Sequence, residues 1–355
     1  MPPTHGRGVH RHPHRARSRQ TCRADPGRCR APRDPRAGPL RGIETAGGRM
    51  MLSFSREQEI VEAGGVALGG QPGELPTVLF GTVFYRKQFR EIDRTTLGTV
   101  ESLVNGQAAM SDLTGNPAIV DIFLDDSNFE RRIDAVASLT DGPLSLDVPE
   151  VSLWPEVLSY ADDAGLLGRT IANSLNMGLN DGALAAFSEH TPAAAILLGF
   201  DPRDMSADGR IRMIRDGAGY LERGLLEIAR DLGMGPLLDT AATPFDHNAC
   251  ETIRAIPVIK NSLGLPVGCA IHNTVESWLW MRDYRKEHRD TYLVCDMAAN
   301  VLPMAFGADF IIYGPIDNAP VVFPMAAMVD KFIAEGAEDY FGVTQSNDHP
   351  RRRLP

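Results

Sequence analysis

The chain has 355 residues, 43% hydrophobic and 23% charged, which is enough for one large core or two smaller ones. No uncharged apolar run of about 18 residues occurs, so no membrane-spanning helix is expected. Charge is split unevenly: residues 1–50 hold 12 Arg and no Lys against 3 acidic residues, a net of +9, so with −10 on the whole chain residues 51–355 carry −19. An acidic body of that kind argues against nucleic acid as a partner.

Residues 1–50 read as a disordered leader. They are rich in Arg, Pro, Gly and His, nearly devoid of apolar residues, and lack both the h-region of a signal peptide and the Ser-rich amphipathic character of a transit peptide. A misassigned upstream start is the preferred reading, with Met50 or Met51 as the true one. Residues 51–340 read as a single domain and 341–355 as a C-terminal tail. Three of the five cysteines, Cys250, Cys269 and Cys295, lie in the body without C-x-x-C spacing. A reducing cytoplasm fits that usage.

From about residue 77 onward the chain alternates strand-like and helix-like segments, and residues 52–76 come before them. Glu62-Ala-Gly-Gly-Val-Ala-Leu-Gly-Gly-Gln71 suggests a small hairpin that closes the lower end of the fold. A first strand at 77–84 precedes a helix at 93–111, and a second at 118–124 precedes a helix at 127–139. The third strand ends at Asp147, with a helix at 154–164. The fourth ends at Asn173, with a short helix at 181–189. The fifth covers 193–199 and leads into one long amphipathic stretch, 206–232, in which Ile211, Ile214, Ala218, Leu221, Leu225 and Ile228 recur three or four apart. The sixth strand is 236–239, with a helix at 249–263. The seventh is 267–273, with a helical region at 274–305. The eighth is 309–313, with a last helix at 321–336.

Eight such units predict a (β/α)8 TIM barrel with a small N-terminal hairpin. The strands are near-continuously apolar, as in a parallel sheet covered by helices. A doubly wound open sheet is the alternative, weakened because no G-x-G-x-x-G follows the first strand.

Asp147, Asn173, Asp239 and Asn273 each end an apolar run, and in a barrel all four gather at one mouth. Singly, each has a plainer reading as a helix cap or turn residue; Asn273 has Glu276 three residues on, as in a capping box. Jointly, polar residues at the C-terminal ends of barrel strands point to a binding or catalytic site. Two carboxylates and two carboxamides suit a flat ligand edged with N–H groups. Asp121, mid-strand, either faces that site or pairs structurally, since a buried carboxylate needs partners. His272 and His247 lack a second metal ligand at a telling spacing, and Cys250, Cys269 and Cys295 are better explained by burial than by a zinc site. Gly69-Gly-Gln71-Pro-Gly73-Glu reads as a tight turn. No nucleophile–base set supports covalent catalysis.

The stretch from Glu62 through Gly69-Gly-Gln-Pro-Gly-Glu-Leu-Pro-Thr-Val-Leu-Phe-Gly-Thr-Val-Phe-Tyr85 resembles the H subunit of tetrahydromethanopterin S-methyltransferase, as do Ser111-Asp-Leu-Thr-Gly-Asn-Pro117 and Val267-Gly…His272-Asn-Thr. The four strand-end residues resemble the wider pterin-binding methyltransferase barrels. That resemblance implies a tetrahydropterin at the mouth, a separate corrinoid protein as partner, and transfer of a methyl group between pterin N5 and cobalt. It places Asp147 and Asp239 on the pterin ring, Asn173 as a further ring contact, Asn273 near N5, and no metal on the chain itself. Asp121 and His272 become candidates for a proton-carrying network. The Arg/Ala-rich leader suggests a high-GC bacterial gene. Bacterial relatives use tetrahydrofolate in demethylating methylated amines, so tetrahydrofolate is the favoured carrier and tetrahydromethanopterin the alternative. A homodimer is expected. The rival readings are dihydropteroate synthase, whose strand-7 Lys and later Arg-x-His are missing here, a non-catalytic pterin-binding scaffold, and a metal-dependent aldolase-type barrel.

Overall fold

The computed structural model describes residues 53–85, 92–125, 128–245 and 247–355; the Arg-rich leader lies outside them. All described residues fall in one compact unit, Glu44–Pro355. A hairpin of β1 (Ile60–Ala63) and β2 (Val66–Gly69) comes first. Eight parallel strands follow: β3 (Val78–Val83), β4 (Ala118–Phe123), β5 (Leu144–Asp147), β6 (Thr170–Leu175), β7 (Ala194–Leu198), β8 (Gly235–Asp239), β9 (Val267–Cys269) and β10 (Phe310–Pro315). They close in chain order, with β10 pairing to both β9 and β3.

Side-chain alternation builds two cores from one set of strands. One cluster fills the barrel interior: Val78, Phe80, Ile119, Ile171, Ile196, Leu237, Phe310 and Ile312, with Val61, Ala63 and Leu68 of the hairpin packed beneath. The hairpin therefore closes the lower end, as its sequence suggests. The other cluster takes the outward residues, among them Leu79, Val120, Leu146, Ala172, Leu197, Leu238 and Ile311, and packs them against the helices. Gly81 belongs to this outer layer. A Cβ there would lie 2.2 Å from the Tyr313 hydroxyl, which Gln107 holds with a 3.0 Å hydrogen bond.

The helices are α1 (Arg94–Thr114), α2 (Phe129–Ala137), α3 (Trp154–Asp163) and α4 (Asp181–Glu189), then α5 (Ala207–Asp216), α6 (Leu225–Asp231) and α7 (Cys250–Leu263). Next come α8 (Ile271–Ser277), α9 (Leu279–Tyr284), α10 (Arg289–Ala299), α11 (Val301–Ala305), α12 (Ala319–Phe341) and α13 (Pro350–Arg353). Asp93 and Asn180 accept from the N–H of Thr96 and Ala183 and so cap α1 and α4. The single stretch expected over 206–232 is two helices. Gly217, at φ 72°, ends α5 by a left-handed cap, and the chain turns before α6. The helical region expected over 274–305 is likewise four short helices, α8 to α11.

Buried polar groups tie the N-terminal end of the barrel together. Lys260 Nζ meets Asp309 at 2.6 Å with neither side chain appreciably exposed, and Val267 N–H also donates to Asp309 at 2.7 Å. Asp330 accepts from the Thr77 N–H at 2.9 Å, the Thr77 hydroxyl at 2.7 Å and Asn116 Nδ2 at 2.6 Å. The turn at Gly69–Glu74 closes through Gln71 N–H to Glu74 Oε2, 2.8 Å. The last residues pack on this side too: Ser346 N–H donates to the Glu74 carbonyl at 2.9 Å, and His349 is fully buried.

Candidate active site at the C-terminal mouth

Above its apolar floors the barrel interior turns polar. Thr82, Asp121 and Ser145 are register partners on β3, β4 and β5. One inward step higher, Asp147 pairs in register with Phe123 and Asn173, and Asp239 pairs with Leu198. These residues open into a cavity of about 440 Å³, well inside the range of small-molecule sites. All six residues singled out from the sequence line it: Asp121, Asp147, Asn173, Asp239, His272 and Asn273. Phe123, Leu198, Ala270 and Ile312 add apolar wall.

The two readings of Asp121 are both met. It lines the cavity, and it is also fully bonded: Oδ1 accepts from Ser145 Oγ at 2.6 Å and Asn173 Nδ2 at 3.2 Å, and Oδ2 from Thr82 Oγ1 at 2.8 Å. Burial raises its pKa while those three donors oppose the rise. Its structural effect is to orient the Asn173 carboxamide, leaving that group's oxygen for a ligand.

Asp239 accepts from the Ala241 N–H at 2.7 Å, a turn that fixes the carboxyl just past the strand. Burial pushes it up to about 6, against that hydrogen bond and the charge of Arg210. Arg210, from α5, is buried and donates to the Thr240, Met205 and Ala241 carbonyls, so it braces the loop that carries Asp239. Sequence reading missed it, because it sits inside an ordinary amphipathic pattern. Asp147 differs from both other carboxyls: no hydrogen bond reaches its side chain among the described residues. Burial, then the charges of Asp121 and Asp239, hold its pKa well above the usual carboxylate range.

Residues 56–345 match the family model described as "Tetrahydromethanopterin S-methyltransferase MtrH subunit". The chain belongs to the MtrH family. It is 39% identical over 311 residues to the H subunit of tetrahydromethanopterin S-methyltransferase from Methanothermobacter thermautotrophicus, covering 86% of this chain and 100% of that one. It is also 39% identical over 319 residues to the corresponding protein of Methanocaldococcus jannaschii, with 86% and 100% coverage. Among solved structures it is similar to Yersinia pestis dihydropteroate synthase with a pterine–sulfa conjugate. There the TM-score is 0.50 at 14% identity, over 77% of this chain and 99% of that one, a likeness of fold.

In this MtrH-family barrel two sequence expectations about the mouth need correcting. Strand β6 runs on past Asn173 to Leu175. Strand β9 stops at Cys269, and His272 and Asn273 lie in the first turn of α8. Asn273 is therefore not an N-cap: that position is Ala270, and the Asn273 N–H donates to its carbonyl at 3.0 Å. Gly268 lets β10 approach closely within this short strand: a Cβ there would lie 2.3 Å from the Phe310 carbonyl oxygen. Asn273 is solvent-exposed at the rim, and its side chain is free to turn toward a ligand.

His272 lies against the backbone of Gly314, where a Cβ would come within 2.7 Å of Nδ1; the glycine at φ 80° makes the ring's seat. Burial lowers its pKa to about 4, opposed by Glu276. At neutral pH it is an uncharged hydrogen-bonding wall, not a proton-loaded group. His247 does not line the cavity. Among the described residues no cluster of three or more His, Cys, Asp or Glu is arranged to hold a metal ion, and no helix is long and apolar enough to cross a membrane. Cys269 is buried as expected, but Cys250 and Cys295 are exposed, so burial does not account for those two.

The cavity thus presents three carboxyls, two carboxamides and a neutral imidazole, with no cationic side chain among its described lining residues. A carboxyl left without protein donors, as Asp147 is among the described residues, calls for a ligand that brings its own. An uncharged, planar, N–H-rich heterocycle does so, and the apolar wall accepts its faces.

Proposed function

We propose that this mouth binds a tetrahydropterin and that the protein moves a methyl group between its N5 and the cobalt of a separate corrinoid protein. The observation that carries the reading is the unmatched Asp147 carboxyl beside Asp239, in a cavity without a cation among its described lining residues. Asp147 and Asp239 take the N–H and amino groups of the ring edge in the fork geometry a carboxylate offers. Asn173, oriented by Asp121, adds a ring contact. Asn273, on a helix rim rather than a rigid strand, orients N5.

The methyl carrier is tetrahydromethanopterin in this reading. Relatives at 39% identity, matched over their full length, carry that pterin in their names, and this outweighs the leader composition that pointed to tetrahydrofolate and methylated-amine demethylation.

Proton balance at N5 sets the remaining chemistry. Loss of the methyl leaves an electron pair on N5 that takes up one proton; gain of the methyl releases one. The network inferred from the sequence ran through Asp121 and His272. Asp121 has both oxygens occupied by donors, and His272 is neutral. Solvent at the open mouth supplies or takes that proton in this reading. A cobalt centre on another protein needs open access, and beside the mouth runs a row of rings of which Phe245 and Trp280 are exposed: Phe245 stacks on Trp278 at 4.3 Å, Trp278 tilts against Trp280 at 4.8 Å and Trp280 stacks on Tyr284 at 5.0 Å. This surface is where the partner is proposed to seat.

The test is transfer itself. Purified protein mixed with methylcobalamin, or with a methylated corrinoid protein, and a tetrahydropterin should convert the methylcobalt absorbance to that of reduced cobalt and yield N5-methyl pterin. Tight pterin binding with no transfer to or from a corrinoid protein would leave only a scaffold role.

A further inference from the structure

Beside the reaction cavity lies a second, of about 640 Å³. The two share Tyr85 and Pro315 as walls. One helix also serves both: Asn273 lines the first, and Glu276, nearly one turn further along α8, lines the second. Their chemistry is opposite. The first cavity has no cation among its described lining residues, whereas the second has Arg285, Lys286 and Arg289.

Two of these cations are engaged. Arg285 pairs with Glu276 at 3.2 Å and lies over the Tyr292 ring at 5.4 Å, and Lys286 pairs with Asp283 at 2.7 Å. Arg289 makes no ion pair with any described residue. About two turns further along the same helix, α10, is an unmatched buried group: Asp296 is 4% exposed, and its Oδ1 has no hydrogen-bond partner among the described residues. Burial first, then Glu276, pushes this carboxyl up to about 7, with Arg285 opposing. Glu276, Asp317 and the three cations are the charged groups that face it. A buried polar atom without a partner is costly in a finished core and is expected where a ligand completes it.

We propose that this second cavity is the subsite for the anionic tail of the ligand whose ring occupies the first. The inference rests on the pterin reading of the reaction cavity and extends it. In a reduced pterin the carbon that bears the side chain is the one bonded to N5. A ring with N5 toward Asn273 therefore sends its side chain off along α8, toward Glu276 and the second cavity. The tail of either carrier is anionic, through carboxylates in tetrahydrofolate and through a phosphodiester as well as carboxylates in tetrahydromethanopterin. Either group matches Arg289 and the neighbouring Lys286, while Asp296 takes a hydroxyl or amide of the linker. The ring site then selects a pterin, and the tail site selects a carrier.

The experiment measures binding of three probes to the full chain: 6-methyltetrahydropterin, which has no tail, tetrahydrofolate and tetrahydromethanopterin. Wild type should bind at least one tailed carrier about tenfold or more tightly than the tailless ring, and added salt should narrow that gap. Arg289→Glu, on an exposed position, should cut tailed-carrier affinity about tenfold and leave both the tailless ring and the urea midpoint unchanged. Asp296→Asn should weaken tailed carriers alone. Which tailed carrier gains most shows whether the subsite reads a phosphodiester in addition to carboxylates. Equal binding of tailed and tailless probes by wild type, or an equal loss of both in Arg289→Glu, overturns the subsite while leaving the ring site standing. Binding of no probe overturns the ring site and the subsite together.

Discussion

The two ends of the barrel treat buried carboxyls in opposite ways. At the end where the strands begin, Asp309 has Lys260 and the Val267 N–H, and Asp330 has three donors from Thr77 and Asn116. At the end where the strands finish, Asp121 has three side-chain donors, but Asp239, beyond it, has one backbone donor and Asp147 has none among the described residues. Burial raises the pKa at both ends, so desolvation does not distinguish them. What distinguishes them is satisfaction. A carboxyl whose donors come from the protein holds the fold; one whose donors are missing is kept for something that brings them.

The largest effect that would break this comparison is expected at the satisfied end. Lys260→Met leaves Asp309 buried without its cation, and urea denaturation should show a loss of about 3–5 kcal/mol. A loss near zero would mean that the pair contributes nothing the fold needs. Next is the rim of the mouth. Asn273→Ala should lower the methyl-transfer rate about 10²-fold while the pterin Kd stays close to wild type. A change confined to Kd would make Asn273 a simple ring contact.

A smaller effect follows from titration of the mouth. Asp239 titrates at about 6 in the folded protein, so its acceptor is lost as pH falls through that value. Asp147, raised well above the usual carboxylate range, titrates in the same sense, so pterin affinity should decline as pH falls through about 6, by at most about tenfold per unit for each carboxyl. His272, lowered to about 4, stays neutral through this range, so it does not produce the decline. An affinity that rises on acidification would assign the ring contact to the protonated carboxyl instead.

The smallest expected effect is the most diagnostic for stability. The folded state raises the Asp147 pKa, so it favours the protonated carboxyl. That carboxyl's destabilising contribution grows as pH rises above the unfolded value near 3.8. Asp147→Asn removes it. At pH 8 the variant's urea midpoint should equal or slightly exceed that of wild type, and a clear drop would place Asp147 with the structural carboxyls.

Much of this was legible in the sequence because a barrel converts one-dimensional patterns into position. An inward-facing residue two places beyond an apolar inward residue is one floor higher, so Ile119-Val-Asp121, Ile171-Ala-Asn173 and Leu237-Leu-Asp239 each announce the change from floor to mouth. The Gly-rich stretch before β3 likewise reads as the plug it is. Asn273 lines the mouth cavity, as its sequence position suggests, but from a helix rather than a strand. Helix α8 begins only two residues after β9, and the approach of the Phe310 backbone to Gly268 that accompanies the short strand has no local signature. The break at Gly217 was hidden because apolar residues continue at helical spacing across it. Arg210, Lys260–Asp309 and Asp330–Thr77–Asn116 were out of reach for a different reason: their partners lie tens to hundreds of residues away, and no periodicity encodes such a pairing.

The most direct test of the account is calorimetric titration of tetrahydromethanopterin into wild type, Asp147→Ala and Asp239→Ala at pH 7.5. Wild type should bind, and each variant should lose about 2–5 kcal/mol of binding free energy while remaining folded. Undiminished binding by folded Asp147→Ala would contradict the claim that the unmatched carboxyl at the barrel mouth is the pterin's partner.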